Sequence, residues 1–284
     1  MKQLAGRRTG STDQVRFSPE ADPPERTRNV ISDGGLLIKD MEIPMSTTDR
    51  PGTLTTGDME PKDRLKTVAV AAGSAVKAQT VQPGGEKPTR SRVDAATVEA
   101  LTADWPKMAR SAAEEIVRKY GMPNEATPSR LTWFDNGPWK RTAVIRDEIP
   151  HNFPQPHTDV VEQAIPYEVP LEKVAEVLEF DGSLVIERTR GEVIARCDME
   201  AANIASLNLM HDIVTGRLTA GEARKEMAEV ASAYVLNRSS PYAEGFQFEL
   251  SPVPVGYADH TVIGPAMLKQ GLEKVKDAFR GEER

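Results

Sequence analysis

Leu131-Thr132-Trp133-Phe134-Asp135-Asn136-Gly137, continued by Trp139 to Ile145, sets the architecture of this chain. Two apolar, β-prone runs around an Asn-Gly turn predict an antiparallel hairpin, because Asn and Gly both tolerate positive φ. A second unit of the same kind follows: Leu184-Val185-Ile186-Glu187, a turn near Arg190-Gly191, then Val193-Ile194-Ala195. Such short loops disfavour a wound parallel sheet, whose strands need long crossover connections.

Helices surround the hairpins. Asp94 caps one opening at Ala95, and Pro106 opens another that runs to Tyr120 and stops at Gly121. Val160 to Val169 reads as a strand interrupted by Pro166, and Leu171 to Phe180 as a helix closed by Asp181-Gly182. Asp198 caps a helix to about Thr215, and Thr219 with Glu222 forms a capping box for one ending near Asn237. Phe246-Gln247-Phe248-Glu249-Leu250 reads as a strand, and Met267 to Phe279 has helical spacing. The order predicts an α+β fold: an antiparallel sheet built from hairpins, with helices packed on one face. Helix, Tyr120-Gly121-Met122-Pro123 and aromatic hairpin together resemble the repeating unit of small bacterial envelope lipoproteins of the β-lactamase-inhibitor type. That resemblance covers this stretch alone and implies local architecture; the family's lipid-accepting cysteine has no counterpart near the start of this chain.

Fourteen of the fifteen aromatic residues lie beyond residue 93, so the leading third lacks the side chains that dominate most cores. Residues 1–93 are therefore expected to be a long disordered N-terminal tail, and 94–284 a single globular domain. Gly35-Leu36-Leu37-Ile38 and the Ala-rich run from Val68 are the two apolar patches in the tail. The tail carries a net charge of +3 and the domain −10, which together give −7. An acidic domain repels phosphate backbones, so no nucleic-acid partner is expected. Cys197 is the sole cysteine, which excludes an internal disulfide and fits a reduced, cytoplasmic setting. No signal peptide and no membrane span are expected, because no apolar run approaches the roughly 20 residues a bilayer requires.

Two constellations can carry chemistry. His151-Asn152-Phe153-Pro154-Gln155-Pro156-His157-Thr158-Asp159 gathers two of the four histidines beside a carboxylate, donors suited to zinc, iron or manganese. If Pro154 and Pro156 hold residues 147–158 as an extended loop, His151 and His157 stand roughly 19 Å apart and do not share an ion. His157 and Asp159 point to the same side of an extended chain, roughly 7 Å apart, and are the expected metal ligands. With His211 or His260 as a third member, this His-x-Asp pair resembles the facial triad of non-haem iron oxygenases. Those enzymes are built on an all-β double-stranded helix, whereas residues 198–238 here read as helical.

The second constellation lies on the helix after Asp198, whose apolar residues fall all round, as in a buried helix. Glu200, Asn203, Asn208 and His211 still gather on one stripe and must meet partners when buried. One reading turns the stripe toward a pocket, with Glu200 as general base, His211 as acid or ligand, and Asn203 and Asn208 binding a ligand. The other pairs Glu200 with an arginine such as Arg141 or Arg188 and makes the stripe a set of staples between helix and sheet. Cys197 reads as a buried structural thiol. Trp133, Phe134 and Trp139 either pack on the opening helix or face a partner. No P-loop, dinucleotide fingerprint, nucleophile elbow or kinase signature occurs. The expectation is a cytosolic protein- or ligand-binding module, acting on a protein partner or as a homo-oligomer. The alternative is a metal-assisted hydrolase using a divalent metal such as zinc on His157 and Asp159, with Glu200 as base.

Overall fold

The computed structural model describes residues 60–78, 88–251 and the single positions 259, 262 and 273. Most of the expected tail, His260 and most of the expected helix from Met267 to Phe279 lie outside the described residues. Within the stretch assigned to the tail, Pro61–Ala78 forms helix α1, which includes the Ala-rich run. Order tied to the domain begins slightly before Asp94: the Val93 N–H donates to the Pro123 carbonyl at 2.9 Å, and Asn124 Nδ2 donates to the Ser91 carbonyl at 2.9 Å.

Local signals place the first helices. The Asp94 carboxylate accepts the Thr97 N–H at 2.9 Å and caps α2 (Ala95–Thr102). Helix α3 (Lys107–Tyr120) follows Pro106 and ends at Gly121, whose φ of 77° suits glycine. Its buried stripe of Ala109, Ala112, Ala113 and Ile116 lets the helix backbone approach the sheet closely.

Six strands follow: β1 (Glu125–Thr127), β2 (Arg130–Asn136), β3 (Trp139–His151), β4 (His157–Pro166), β5 (Val185–Glu187) and β6 (Glu192–Cys197). They form one sheet in the order β1-β2-β3-β4-β6-β5, with every neighbouring pair antiparallel. A single turn of 3₁₀ helix (Leu171–Lys173) leads into α4 (Val174–Phe180). After β6 come α5 (Glu200–Val214), α6 (Ala220–Val235) and the short α7 (Pro241–Glu244). Thr219 and Glu222 make the expected capping box, whereas α5 is preceded by Met199 with no side-chain cap, not by Asp198. None of the described helices is long and apolar enough to cross a membrane.

Two departures have local causes. The first hairpin pairs Asn136 with Trp139, so Gly137-Pro138 forms the turn rather than Asn-Gly. Proline cannot adopt positive φ, so Gly137 alone supplies it, at 72°. A Cβ at Gly137 would also stand 3.1 Å from Tyr120 Cε1. Gly137→Ala should therefore cost about 1–2 kcal/mol in stability, read from the urea midpoint. Residues 246–250 do not form a strand: the Gln247 N–H is taken by the Asn208 side chain at 2.8 Å, and the alternate rings Phe246 and Phe248 pack inward.

Strand periodicity puts Leu131, Trp133, Val144, Val161, Gln163, Ile165, Val193 and Ala195 on one face. Helix α3 packs over β3 and β4 there, and α5 packs over β4 and β6, so the helices sit on one face of the sheet. The opposite face carries charge instead. Glu162 pairs with Arg130 and Arg196 at 3.2 and 2.8 Å, and the buried Glu192 pairs with Arg141 and Lys140 at 2.7 and 2.9 Å. Burial works to raise the Glu192 carboxyl, but these cations hold it below the usual range. Trp133 and Trp139 are both fully buried, and each indole N–H has an acceptor, Gly121 O at 2.8 Å and Glu200 Oε2 at 3.2 Å. They belong to the core and not to an outward surface.

Candidate metal centre

The long strand β3 runs past a register shift after Val144, where Arg146 to Glu148 bulge, and pairs again with β4 through Ile149, Pro150 and His151. Pro150 is tolerated because β2 ends its pairing with β3 at Ile145, leaving that side of the strand without a ladder to interrupt. Residues 152–156 then reverse the chain, with a cis Phe153–Pro154 peptide, and β4 begins at His157. The expected extended loop is thereby corrected. His151 and His157 are cross-strand partners with ring centroids 4.9 Å apart, not the ends of a rod. Phe153 holds the reversal, packing on Phe180 at 5.8 Å beneath the Arg224 guanidinium at 3.9 Å.

This register brings His151, His157 and Asp159 together, with one ligand atom of each lying within 4.8 Å of the others. Asp159 Oδ1 stands 3.3 Å from His157 Nε2 and 3.6 Å from His151 Nδ1. That oxygen is buried and accepts no well-formed hydrogen bond, although Asp159 is only 4% exposed. A buried carboxylate oxygen facing two imidazole nitrogens is an arrangement that a shared proton or a shared cation satisfies.

The surrounding groups fix the donors. His157 Nδ1 stands 2.8 Å from the Gln155 carbonyl, so it carries a proton, and Nε2 faces Asp159. His151 Nδ1 stands 3.1 Å from Ser183 Oγ, and its Nε2 lies 3.7 Å from Asp181, so both ring nitrogens meet polar groups. Asp181 is held by the Ser183 N–H at 2.9 Å and by Ser206 Oγ at 3.0 Å, and burial pushes its carboxyl up. The Ser183 hydroxyl donates to Asp159 Oδ2 and pins the other side of that carboxylate. Asp159 first, and then Cys197, push the His157 imidazole up to about 11. Cys197 Sγ, 3.3 Å from His157 Nε2, is kept a thiol by burial.

Beside the cluster opens a cleft of about 230 Å³ between the 152–156 loop, the start of α5, and α6. His157, Cys197 and Asp198 line it together with apolar side chains. A larger depression of about 450 Å³ across Ala228, Ser232 and Leu236 has no ionisable lining.

The α5 stripe is used elsewhere. Glu200 accepts from Lys119, from Tyr120 Oη at 2.9 Å, from Trp139 Nε1 at 3.2 Å and from Gln163 Nε2 at 2.8 Å. Its partner cation is Lys119, while Arg141 is engaged with Glu192. Asn203 Nδ2 donates to the Val161 carbonyl at 3.1 Å and to Gln163 Oε1 at 3.0 Å. Asn208 donates to the carbonyls of Tyr242 and Gly245 and receives the Gln247 N–H, each at 2.8 Å. His211 Nδ1 and the Tyr167 hydroxyl share a hydrogen bond at 2.8 Å, and the imidazole ring stacks on Phe248 at 4.2 Å. Glu200 and His211 therefore join neither each other nor the His151–His157–Asp159 cluster, and His260 lies outside the described residues.

Burial, with the Arg217 charge behind it, holds the His211 imidazole below its usual range. The unfolded chain then binds the proton more readily than the folded one. The resulting stability is present above about pH 6.5 and is lost as pH falls through the lower folded value. His211→Gln should flatten that acid limb in urea midpoints measured from pH 7.5 to 5.

Sequence reasoning missed that His151, Asp181, Ser183 and Cys197 join His157 and Asp159 in one cluster, because they arrive from three separate segments. The period-two spacing of His157 and Asp159 was the only local signal. No family model, curated protein or solved structure matches the chain.

Proposed function

We propose that this domain binds one divalent transition metal, zinc by chemistry, on His151 Nδ1, His157 Nε2 and Asp159 Oδ1, and uses it to hold a small ligand in the adjoining cleft. The carrying observation is the buried Asp159 Oδ1 facing His157 Nε2 at 3.3 Å and His151 Nδ1 at 3.6 Å, with the far nitrogen of His157 held by the Gln155 carbonyl. Two imidazoles disfavour magnesium and calcium, which prefer all-oxygen shells. With bonds of about 2.0–2.1 Å, tetrahedral ligand atoms stand about 3.3 Å apart and octahedral neighbours about 2.9 Å. The two separations from Asp159 Oδ1, 3.3 and 3.6 Å, support the tetrahedral ion, with the two imidazole nitrogens, within 4.8 Å of one another, drawn closer when it binds. A divalent charge also offsets the buried carboxylates of Asp159 and Asp181.

Three protein ligands leave a fourth position open, as in zinc sites that bind or transform substrates. Because the aromatic hairpin is buried, this reading rests on the cleft rather than on a protein partner. A lone reduced cysteine supports a cytosolic setting.

One observation favours hydrolysis as a second reading. Asp198, half-buried in the cleft wall and accepting from Cys197 Sγ at 3.4 Å, can take a proton from water there. It replaces Glu200 as the candidate base, since the oxygens of Glu200 are occupied.

The test is elemental analysis of tag-free protein equilibrated with zinc and then dialysed. One zinc per chain is expected, falling to none in the His151→Ala, His157→Ala double variant. Retention by that variant, or no retention by the wild type, removes the reading.

A further inference from the structure

The geometry points to a specific ligand class for the cleft: a short, unbranched apolar chain of about four to six carbons ending in a neutral or singly charged oxygen head that coordinates the metal. This inference rests on the zinc reading above and adds to it what the site selects. The cleft is chemically two-ended. Most of its polar lining is gathered at one end: Cys197 Sγ touches both His157 Nε2 at 3.3 Å and Asp198 Oδ1 at 3.4 Å, and Gln155 meets the same imidazole, while Tyr234 lines the cleft from α6. The rest of the wall is mainly hydrocarbon and thioether from Met199, Ala202, Met227, Val230, Ala231 and Ala243. A ligand that satisfies both ends needs a head for the ion and a tail with no polar atoms.

Size limits the tail. A water molecule occupies about 30 Å³ of liquid, so 230 Å³ admits roughly eight non-hydrogen atoms beyond the oxygens that would lie on the ion. Charge limits the head. The Asp198 carboxylate in the wall repels a doubly charged phosphate but accepts an N–H or O–H donor beside the coordinating oxygen. Two methionines in the wall suit a flexible alkyl chain, because thioethers repack around irregular shapes.

The probe pair is hexanohydroxamic acid and acetohydroxamic acid, which share a head and differ by four methylenes. Each fully buried methylene is worth roughly a fourfold gain in affinity, so partial burial of four should give at least about 30-fold. The measurement is titration of the cobalt(II)-substituted full chain, following its visible d–d bands. The expected result is that both hydroxamates perturb the bands and that the hexanoyl compound binds at least about 30-fold more tightly. Ala231→Phe, which fills the cleft from α6 without touching a ligand residue, should erase that preference and leave cobalt affinity and acetohydroxamate binding unchanged. Cobalt bands with equal affinities for the two probes, or a preference that survives Ala231→Phe, overturn the ligand class while the metal site stands. No cobalt bands at all overturns both.

Discussion

Glu200→Ala is expected to lower the unfolding free energy by about 3 kcal/mol. Four donors from α3, β3 and β4 converge on this one carboxylate, and two of them, Trp139 Nε1 and Gln163 Nε2, belong to side chains at most 1% exposed. Removing the acceptor leaves Trp139 Nε1 buried and unpaired and Gln163 Nε2 with only a 3.4 Å contact to Thr142 Oγ1, at about 1–3 kcal/mol each. Lys119 contributes little to the loss, because its side chain is 57% exposed and rehydrates. Glu200→Gln keeps one acceptor oxygen and should fall between the wild type and the alanine variant. Urea denaturation monitored by tryptophan fluorescence reads the change, since Trp139 reports directly. A loss below about 1 kcal/mol would mean that the network does not hold α5 to the sheet.

Asp159→Ala is expected to weaken zinc binding by at least about 100-fold, beyond the range typical of groups that merely support a ligand. It removes the one oxygen on which both imidazoles converge. Asp159→Asn keeps the shape and the Ser183 contact but lacks the negative charge, so it separates a lost ligand from a disturbed fold. Competition against a chromophoric chelator measures both variants, with circular dichroism as the control for folding. Wild-type affinity in a folded Asp159→Asn protein would place the ion elsewhere.

Much of the fold was legible because its signals are local. Asp94 caps α2, Gly121 stops α3, and Thr219 with Glu222 opens α6, each through bonds within one turn of chain. The two hairpins followed from apolar alternation around short turns, although Pro138 moved the first turn by one residue. The polar stripe on α5 was legible as a set of groups needing company. Its partners were not, since Glu200 alone draws on Lys119, Tyr120, Trp139 and Gln163, all of them far from it in sequence.

The site was half legible for the same reason. His157 and Asp159 share a strand face by period alone, whereas His151 joins them only through a chain reversal. Pro154 and Pro156 read as an extended rod because the contacts of Phe153 with Phe180 and Arg224 are long-range. Asp181 and Ser183 come from the turn after α4, and Cys197 from the end of β6, where no motif announces them.

X-ray absorption at the zinc edge of the loaded, tag-free protein probes the ion's own neighbours. The account predicts a shell of nitrogen and oxygen alone at about 2.0–2.1 Å, with the outer scattering of two imidazole rings. A shell containing sulfur at about 2.3 Å, or scattering from no imidazole, would contradict an open centre built on His151, His157 and Asp159.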